Sequence, residues 1–152
     1  QTHTRQISLT LYGEKIMART TFSGPVVSLS GFLTEPTAAA INATAAATAA
    51  EVATGYITST SAAGTSITFP TGTLLGAELG ATGGTIFELV VDNTAGANTV
   101  TMVVGVNAIL SAGAAAVGAS FGLLTIPTGV TGLARYTLLF SSATAYTITR
   151  TA

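Results

Sequence analysis

The sequence predicts a mainly β protein: an antiparallel β-sandwich or barrel with one or two short helices and an extended N-terminal arm. Short runs of alternating apolar and polar residues recur along the chain, and this alternation is typical of half-buried strands. Turn residues separate these runs at intervals of roughly eight to twelve residues. Hydrophobic residues make up 48% of the 152 residues, which is enough to fill the core of one domain.

The N-terminal part of the chain divides into an arm, residues 1–16, and an extended segment, residues 17–37, before a β-domain over residues 38–152. In "TRQISLTLY" the apolar residues alternate with polar ones and predict one short strand. "MART" resembles a translation start, and "FSGPVVSLSGF" is punctuated by glycine and proline. We expect both parts to contact a neighbouring protein, through the apolar residues Ile7, Leu9, Leu11, Phe22, Pro25, Val26 and Val27. The alternative is that the arm joins the sheet edge of its own domain.

Two short helices are expected, because each has a start signal and a stop signal. Thr48 and Glu51 have the spacing of a capping box and Gly55 follows as a stop, which predicts a helix over residues 48–54. A second helix is expected between Thr71 and Gly80, with Leu74, Leu75 and Leu79 facing inward.

The stretch "FELVVDNTAGANTVTMVVG" predicts a central β-hairpin. If Asn93 pairs with Asn98, the apolar pairs are Val91 with Val100, Leu89 with Met102, and Phe87 with Val104. All six apolar side chains then lie on one buried face, and a slip of one residue would expose them.

Strands are predicted on both sides of this hairpin. "GYITSTSAAGTSITFP" gives two short strands, "SAGAAAVGASFG" a loop, and "LLTIPTG" a strand that stops at Pro127. The C-terminal residues predict a second hairpin that places Phe140 opposite Tyr146, Leu138 opposite Ile148, and Tyr136 beside Arg150.

The composition argues against an enzyme and against a metal or other cofactor. The chain has no cysteine and one histidine, His3, close to its end, so neither a thiolate nucleophile nor a His/Cys metal site can form from one chain. Glu88 and Asp92 share a strand face but lie roughly 13 Å apart, too far to share one ion. No catalytic or phosphate-binding motif is present.

The charge pattern predicts protein partners and neither nucleic acid nor membrane. Five scattered cations in a chain of net charge −1 make no basic patch. The uncharged stretch 93–134 is interrupted by glycine, polar residues and Pro127, which argues against a membrane span. Only 7% of residues are charged, against roughly 25% in ordinary domains. Such a surface tends to associate, and we expect a homo-oligomer, specifically a homotrimer.

From Met17 onward the sequence resembles capsid decoration (cement) proteins of tailed bacteriophages. The resemblance rests on "MARTTFSGPV", "TAAEVATGYITSTSAAGTSITFPTGTLL", "FELVVDNTAGANTVTMVVG" and "TAYTITR". It implies a structural virion protein without enzymatic activity, located on the outer capsid surface, often trimeric, that binds the major capsid protein and reinforces contacts between capsomers. Residues 1–16 fall outside it.

Three other functional classes fit the sequence only in part. An ice-binding protein needs a regular Thr-X-Thr ladder, but the chain has no fixed-period repeat and its Thr-X-Thr spacing is irregular. A phage fibre or tail component, or a bacterial surface-adhesin domain, would also suit a β-domain of low charge. A hydrolase with a site built across subunits lacks a usable base.

Overall fold

The computed structural model describes residues 22–31, 33–104 and 124–151, and the backbone of residues 108–110. The chain divides into two units, Gln1–Thr34 and Glu35–Ala152. In the first unit the described residues form neither helix nor strand, and their side chains are exposed. All described helices and strands belong to the second unit.

The described part of the second unit is made mostly of strands, with two α-helices and one turn of 3-10 helix at Gly129–Thr131. The helices are α1 (Ala49–Ala53) and α2 (Gly72–Leu79). The strands are β1 (Ala39–Ala40), β2 (Ala45–Ala46), β3 (Tyr56–Thr58), β4 (Thr65–Thr68), β5 (Ile86–Asp92), β6 (Val100–Val103), β7 (Ala108–Leu110), β8 (Thr125–Ile126), β9 (Leu133–Ser142) and β10 (Ala145–Arg150).

The strands form two mixed sheets, and from β1 to β8 the chain alternates between them. The first sheet has six strands in the order β1-β3-β5-β9-β10-β7, and the second has four in the order β2-β4-β6-β8. In both sheets the first three strands run parallel. Antiparallel pairing joins β9 to both β5 and β10, and β8 to β6, whereas β7 runs parallel to β10.

The parallel strands come from three successive passes of the chain that stack on one another. Ala39 pairs with Ile57, and Ile57 pairs with Val91. In the second sheet Ile67 likewise lies between Ala45 and Met102. The sequence has no repeat of fixed period. The repeat is structural, because α2 and a glycine-rich turn make the second pass much longer than the first.

The two ends of this stack differ. At one end β9 covers β5, and β8 covers β6. At the other end no described strand pairs with the outer side of β1 or β2. We call the outer sides of these two strands the open edge.

Both sheets contribute side chains to a single hydrophobic core. The first sheet supplies large residues such as Leu89, Tyr136 and Phe140, and the second supplies Ile67 and Met102. The other fully buried large side chains are Val52, Ile57, Leu75, Ile126, Leu138, Tyr146 and Ile148.

Both helices lie where the sequence predicts them, with the predicted caps. The Thr48 hydroxyl accepts from the Glu51 N–H at 3.2 Å, and the Glu51 carboxylate accepts from the Thr48 N–H at 2.7 Å, which completes the capping box of α1. Thr71 caps the start of α2, and Gly80 ends it in the left-handed conformation, with a φ of 58°.

One feature of α2 differs from the prediction. Leu75 is buried and Leu79 packs against the core, but Leu74 is exposed instead of facing inward. The face of α2 that meets the rest of the unit carries Gly72 and Gly76, which lie against the backbone of the turn between β9 and β10. A Cβ at Gly76 would overlap the carbonyl oxygen of Ala143. The contact face was therefore set by glycines, which an apolar pattern does not reveal.

The predicted pairing of residues 87–104 into a hairpin is wrong. β5 and β6 belong to different sheets, and each pairs in parallel with a strand from the preceding pass. The predicted buried face is nevertheless largely present: Leu89, Val91, Val100 and Met102 are buried, and Phe87 and Val104 pack against the core. Alternation fixes which side chains point inward, but it is the same whether the partner strand is adjacent or distant in sequence.

The C-terminal hairpin is confirmed in register. β9 and β10 pair Phe140 with Tyr146, Leu138 with Ile148, and Tyr136 with Arg150. The rings of Phe140 and Tyr146 lie 5.2 Å apart. The short strand before Pro127 and the two strands on either side of residues 62–64 are also present, although these two strands lie in different sheets. The predicted loop "SAGAAAVGASFG" lies outside the described residues.

The fold class is thus confirmed only at its coarser level. The described secondary-structure elements are mostly strands, with two α-helices, but the two sheets are mixed and are not closed into a barrel. None of the described helices has the length and apolar character that crossing a bilayer requires.

Candidate functional site

The predicted interface residues fall into two groups. Ile7, Leu9 and Leu11 lie outside the described residues. The other four, Phe22, Pro25, Val26 and Val27, lie in the first unit and are all exposed.

The side chains of these four residues and their neighbours are highly exposed for apolar groups. Phe22 is 67% exposed and Val27 82% exposed. Sequence reasoning missed two further members, Leu29 at 99% and Leu33 at 85% exposure. We call Phe22, Pro25, Val26, Val27, Leu29 and Leu33 the apolar segment. Contiguous exposed apolar side chains are a signature of a surface that binds another molecule.

A turn lies within the apolar segment. The Ser28 hydroxyl donates to the Gly31 carbonyl at 2.6 Å. Ser and Gly are the residues that favour such turns, and the motif "SLSG" in the sequence was the signal for it. Leu29, between these two residues, projects into solvent.

The two carboxylates on β5, Glu88 and Asp92, accept hydrogen bonds from neighbouring parts of the fold. The Thr137 hydroxyl donates to Glu88 at 2.6 Å. Asp92 accepts from the hydroxyl of Tyr56 at 2.9 Å and from the N–H and hydroxyl of Thr94. The bonds from Thr94 lower the pKa of Asp92 below its usual value. Within the described residues, no three His, Cys, Asp or Glu side chains cluster as a metal site.

The described cations do not form a patch. Arg150, on β10, donates from Nη1 to the carbonyl of Thr125 at 3.1 Å, which ties the last strand to β8. Arg135 lies on β9 and is exposed to solvent. His3, Arg5, Lys15 and Arg19 lie outside the described residues.

An apolar pocket of about 730 Å³ lies at the carboxyl ends of β2, β4 and β6. The pocket is lined by the residue that directly follows each strand and by Leu74; the three residues after the strands are Ala47, Phe69 and Val104. The lining hydroxyls of Thr48 and Thr71 are occupied as helix caps. Since no lining residue ionises, the pocket can hold an apolar group but offers no acid or base. Sequence reasoning missed it, because its walls come from three separate passes.

The loop beside the pocket is fixed by Tyr146. Its hydroxyl donates to the carbonyl of Pro70 at 2.7 Å. Burial raises the pKa of Tyr146 far above its usual value, and burial likewise raises the pKa of Tyr136 to about 12. Both phenols therefore stay protonated at any physiological pH and act as structural groups.

Asn93 connects the loop between β5 and β6 to the strand β8. It is fully buried, and its side-chain N–H groups donate to the carbonyls of Asn98, Ile126 and Pro127 at 2.9, 3.1 and 2.9 Å. The predicted hairpin paired Asn93 with Asn98 across its end. The two residues do meet, but through the hydrogen bond from the Asn93 side chain to the Asn98 carbonyl.

Comparisons with known proteins found no match to this chain among family models, curated proteins or solved structures.

Proposed function

We propose that this chain is a structural virion protein of a tailed bacteriophage that binds the outer surface of the capsid and stabilises contacts between capsomers. It acts without catalysis or cofactor, and its partners are the major capsid protein and other copies of itself. The observation that carries the proposal is the apolar segment, whose side chains are exposed in the isolated chain. On a capsid these side chains would be buried against a neighbouring protein.

The composition supports the same proposal. Only 7% of the residues are charged, and the exposed positions of β9 include Leu133, Leu139 and Ser141 beside one charged residue, Arg135. A surface with so little charge is poorly protected against association. In a shell, neighbouring molecules cover such a surface. The resemblance to decoration proteins described above points to the same class.

The first experiment counts copies in purified particles. Heads of the phage that carries this gene are purified, and their proteins are quantified by mass spectrometry. The proposal expects this chain in near-stoichiometric ratio to the major capsid protein. A count in single digits to tens per particle would instead indicate a fibre or tail component, and absence from the particle would refute the proposal.

A second experiment tests the apolar segment itself. Val27→Asp should weaken binding to heads that lack the protein by at least about tenfold, because an interfacial position would have to bury an unpaired charge. Val130→Asp is the matched control, since Val130 is fully exposed in the compact unit. Equal binding of both variants would show that the apolar segment does not contact the capsid.

A further inference from the structure

The open edge carries backbone groups that the described structure leaves pointing outward. The Ile41 N–H donates to the Thr58 carbonyl at 2.9 Å, so Ile41 faces β3. Successive residues of a strand point their backbone N–H and C=O groups in opposite directions. The backbone groups of Ala40 therefore point away from β3, toward the open edge. The Ala47 N–H donates to the Thr68 carbonyl at 2.9 Å, and by the same alternation Ala46 points outward from β2.

This edge has few of the usual protections against pairing. Natural edge strands are protected by shortness, charged side chains, proline or bulges; β1 and β2 are short, at two residues each, but they contain no charged side chain and no proline. No charged residue occurs between Glu35 and Glu51, and Ala40 and Ala46 present only exposed methyl groups. Pro36 lies before β1, so every residue of both edge strands keeps a backbone N–H that can donate a hydrogen bond.

The turn between β1 and β2 also leaves the edge accessible. The side-chain oxygen of Asn42 accepts from the N–H and hydroxyl of Thr60, at 2.8 and 3.1 Å. The Thr44 hydroxyl accepts from the Ser66 N–H at 3.1 Å. Both side chains thus turn toward the next pass of the chain and away from the open edge.

We propose that the open edge pairs with the open edge of a second copy, with β1 antiparallel to its symmetry mate and β2 antiparallel to its own. A two-fold axis that crosses both sheets in the plane of the interface creates both pairings at once. The occupant is a second copy because a two-fold interface brings identical residues together, which an edge of uncharged, small side chains permits without repulsion or clash.

This contact joins two copies and no more, so the edge pairing gives a dimer and differs from the homotrimer expected from the sequence. β9 and β8 cover the other end of the parallel stack, so the paired passes cannot add a third copy by the same contact. This inference does not depend on the proposed virion function, because it rests on backbone pairing alone.

A single cysteine tests the symmetry directly, since the natural chain has none. In Ala40→Cys the two-fold places the introduced thiol close to its own mate, at the Cα separation of roughly 4.5–5.5 Å that facing strands have, within the range of a disulfide. Mild oxidation of the full chain should give a covalent dimer in high yield. Ala77→Cys, at an exposed position of α2, should give little. Equal cross-linking of both variants, or none at position 40, would overturn the proposal.

A charge at the same position tests the energetics. Ala40→Lys places two like charges opposite each other and should raise the dimer dissociation constant at least about tenfold, as measured by native mass spectrometry over a concentration series. Ala77→Lys should leave it unchanged, and both variants should melt cooperatively by circular dichroism. A wild-type protein that stays monomeric at high concentration, or a trimer insensitive to Ala40→Lys, would overturn the edge pairing while leaving the virion proposal intact.

Discussion

At the scale of single residues, Asn93 is the polar side chain with the most connections in the core. Its side chain donates to three backbone carbonyls from two parts of the chain. Asn93→Asp replaces these donors by a carboxylate that faces the same carbonyls. We expect a loss of about 3 kcal/mol or more in the free energy of unfolding at neutral pH, since buried polar groups lose their partners and a charge is buried.

The pH dependence of this loss identifies its cause. Facing carbonyl oxygens would raise the pKa of the introduced carboxyl in the folded state. A raised folded-state pKa gives stability that is present at low pH and disappears as the pH rises. Urea unfolding at pH 4 should therefore show a smaller loss than at pH 7. Asn42→Asp is the control: Asn42 only accepts through its side-chain oxygen, and its change should be near zero. Equal losses at both positions would contradict this account.

The buried tyrosines predict a limit of stability at high pH. Burial raises the pKa of Tyr136 from 10.0 to about 12. Above pH 10 the unfolded chain can ionise this phenol but the folded chain cannot, so stability is complete below pH 10 and declines as the pH rises toward 12. The decline should approach about 1.4 kcal/mol per pH unit for each such group. Urea titrations between pH 9 and pH 12 measure this slope, which should become smaller in Tyr136→Phe; an unchanged slope would exclude Tyr136 as its source.

Leu89 tests the buried face of β5. Its side chain is completely buried in the core. Leu89→Ala should therefore reduce the free energy of unfolding by about 2–5 kcal/mol, the usual range for truncation of a core leucine. Leu139 is an exposed leucine on the neighbouring strand β9, and Leu139→Ala should cost under about 1 kcal/mol. Denaturant unfolding of both variants checks the comparison, and similar losses would refute the assignment of the inward face.

At the scale of elements, α2 is held against the β9–β10 turn by its glycines. Helix propensity alone would make Gly76→Ala stabilising by up to about 1 kcal/mol. The added methyl group would overlap the Ala143 carbonyl, so we expect destabilisation of at least about 2 kcal/mol instead. Gly64→Ala is a suitable control because a Cβ there meets open space. A stabilised Gly76→Ala protein in thermal unfolding would mean that the helix does not approach the turn this closely.

The elements also show what could be predicted from sequence. Helix caps and the C-terminal hairpin depend on residues close in sequence, and Thr48, Thr71 and the Phe140–Tyr146 pair were predicted correctly. The partner of β5 could not be predicted, because Leu89 and Val91 alternate in the same way whichever strand lies beside them. Of the candidate site, Phe22, Pro25, Val26 and Val27 were predicted as interface residues; they are exposed, and their role in an interface stays a prediction. The pocket was not, because Ala47, Phe69 and Val104 meet only through the stacking of three passes.

At the scale of the whole molecule, the N-terminal arm can be tested by deletion. Among the described residues, the buried core begins at Ile41, and Ala39 is the earliest hydrophobic residue packed against it. Removal of residues 1–16 should therefore change the melting temperature of the compact unit by less than about 2 °C. Under the proposed function, the loss of Ile7, Leu9 and Leu11 should weaken attachment to capsids. Calorimetry and a head-binding assay check the two halves of this prediction. A truncated protein that binds heads as tightly as the full chain would show that the arm is dispensable.

The position of β9 in the first sheet has a consequence for biosynthesis. This strand lies between β5 and β10 and pairs with both along most of its length, yet residues 93–132 must be translated between β5 and β9. Until the ribosome has released it, β5 has an unfilled edge and the core lacks Tyr136, Leu138 and Phe140. Strand pairing between such distant segments is slow and leaves nascent chains prone to aggregation. The first sheet therefore cannot be completed before β9 has been translated, and a premature stop before Leu133 should yield an insoluble fragment rather than a smaller working protein.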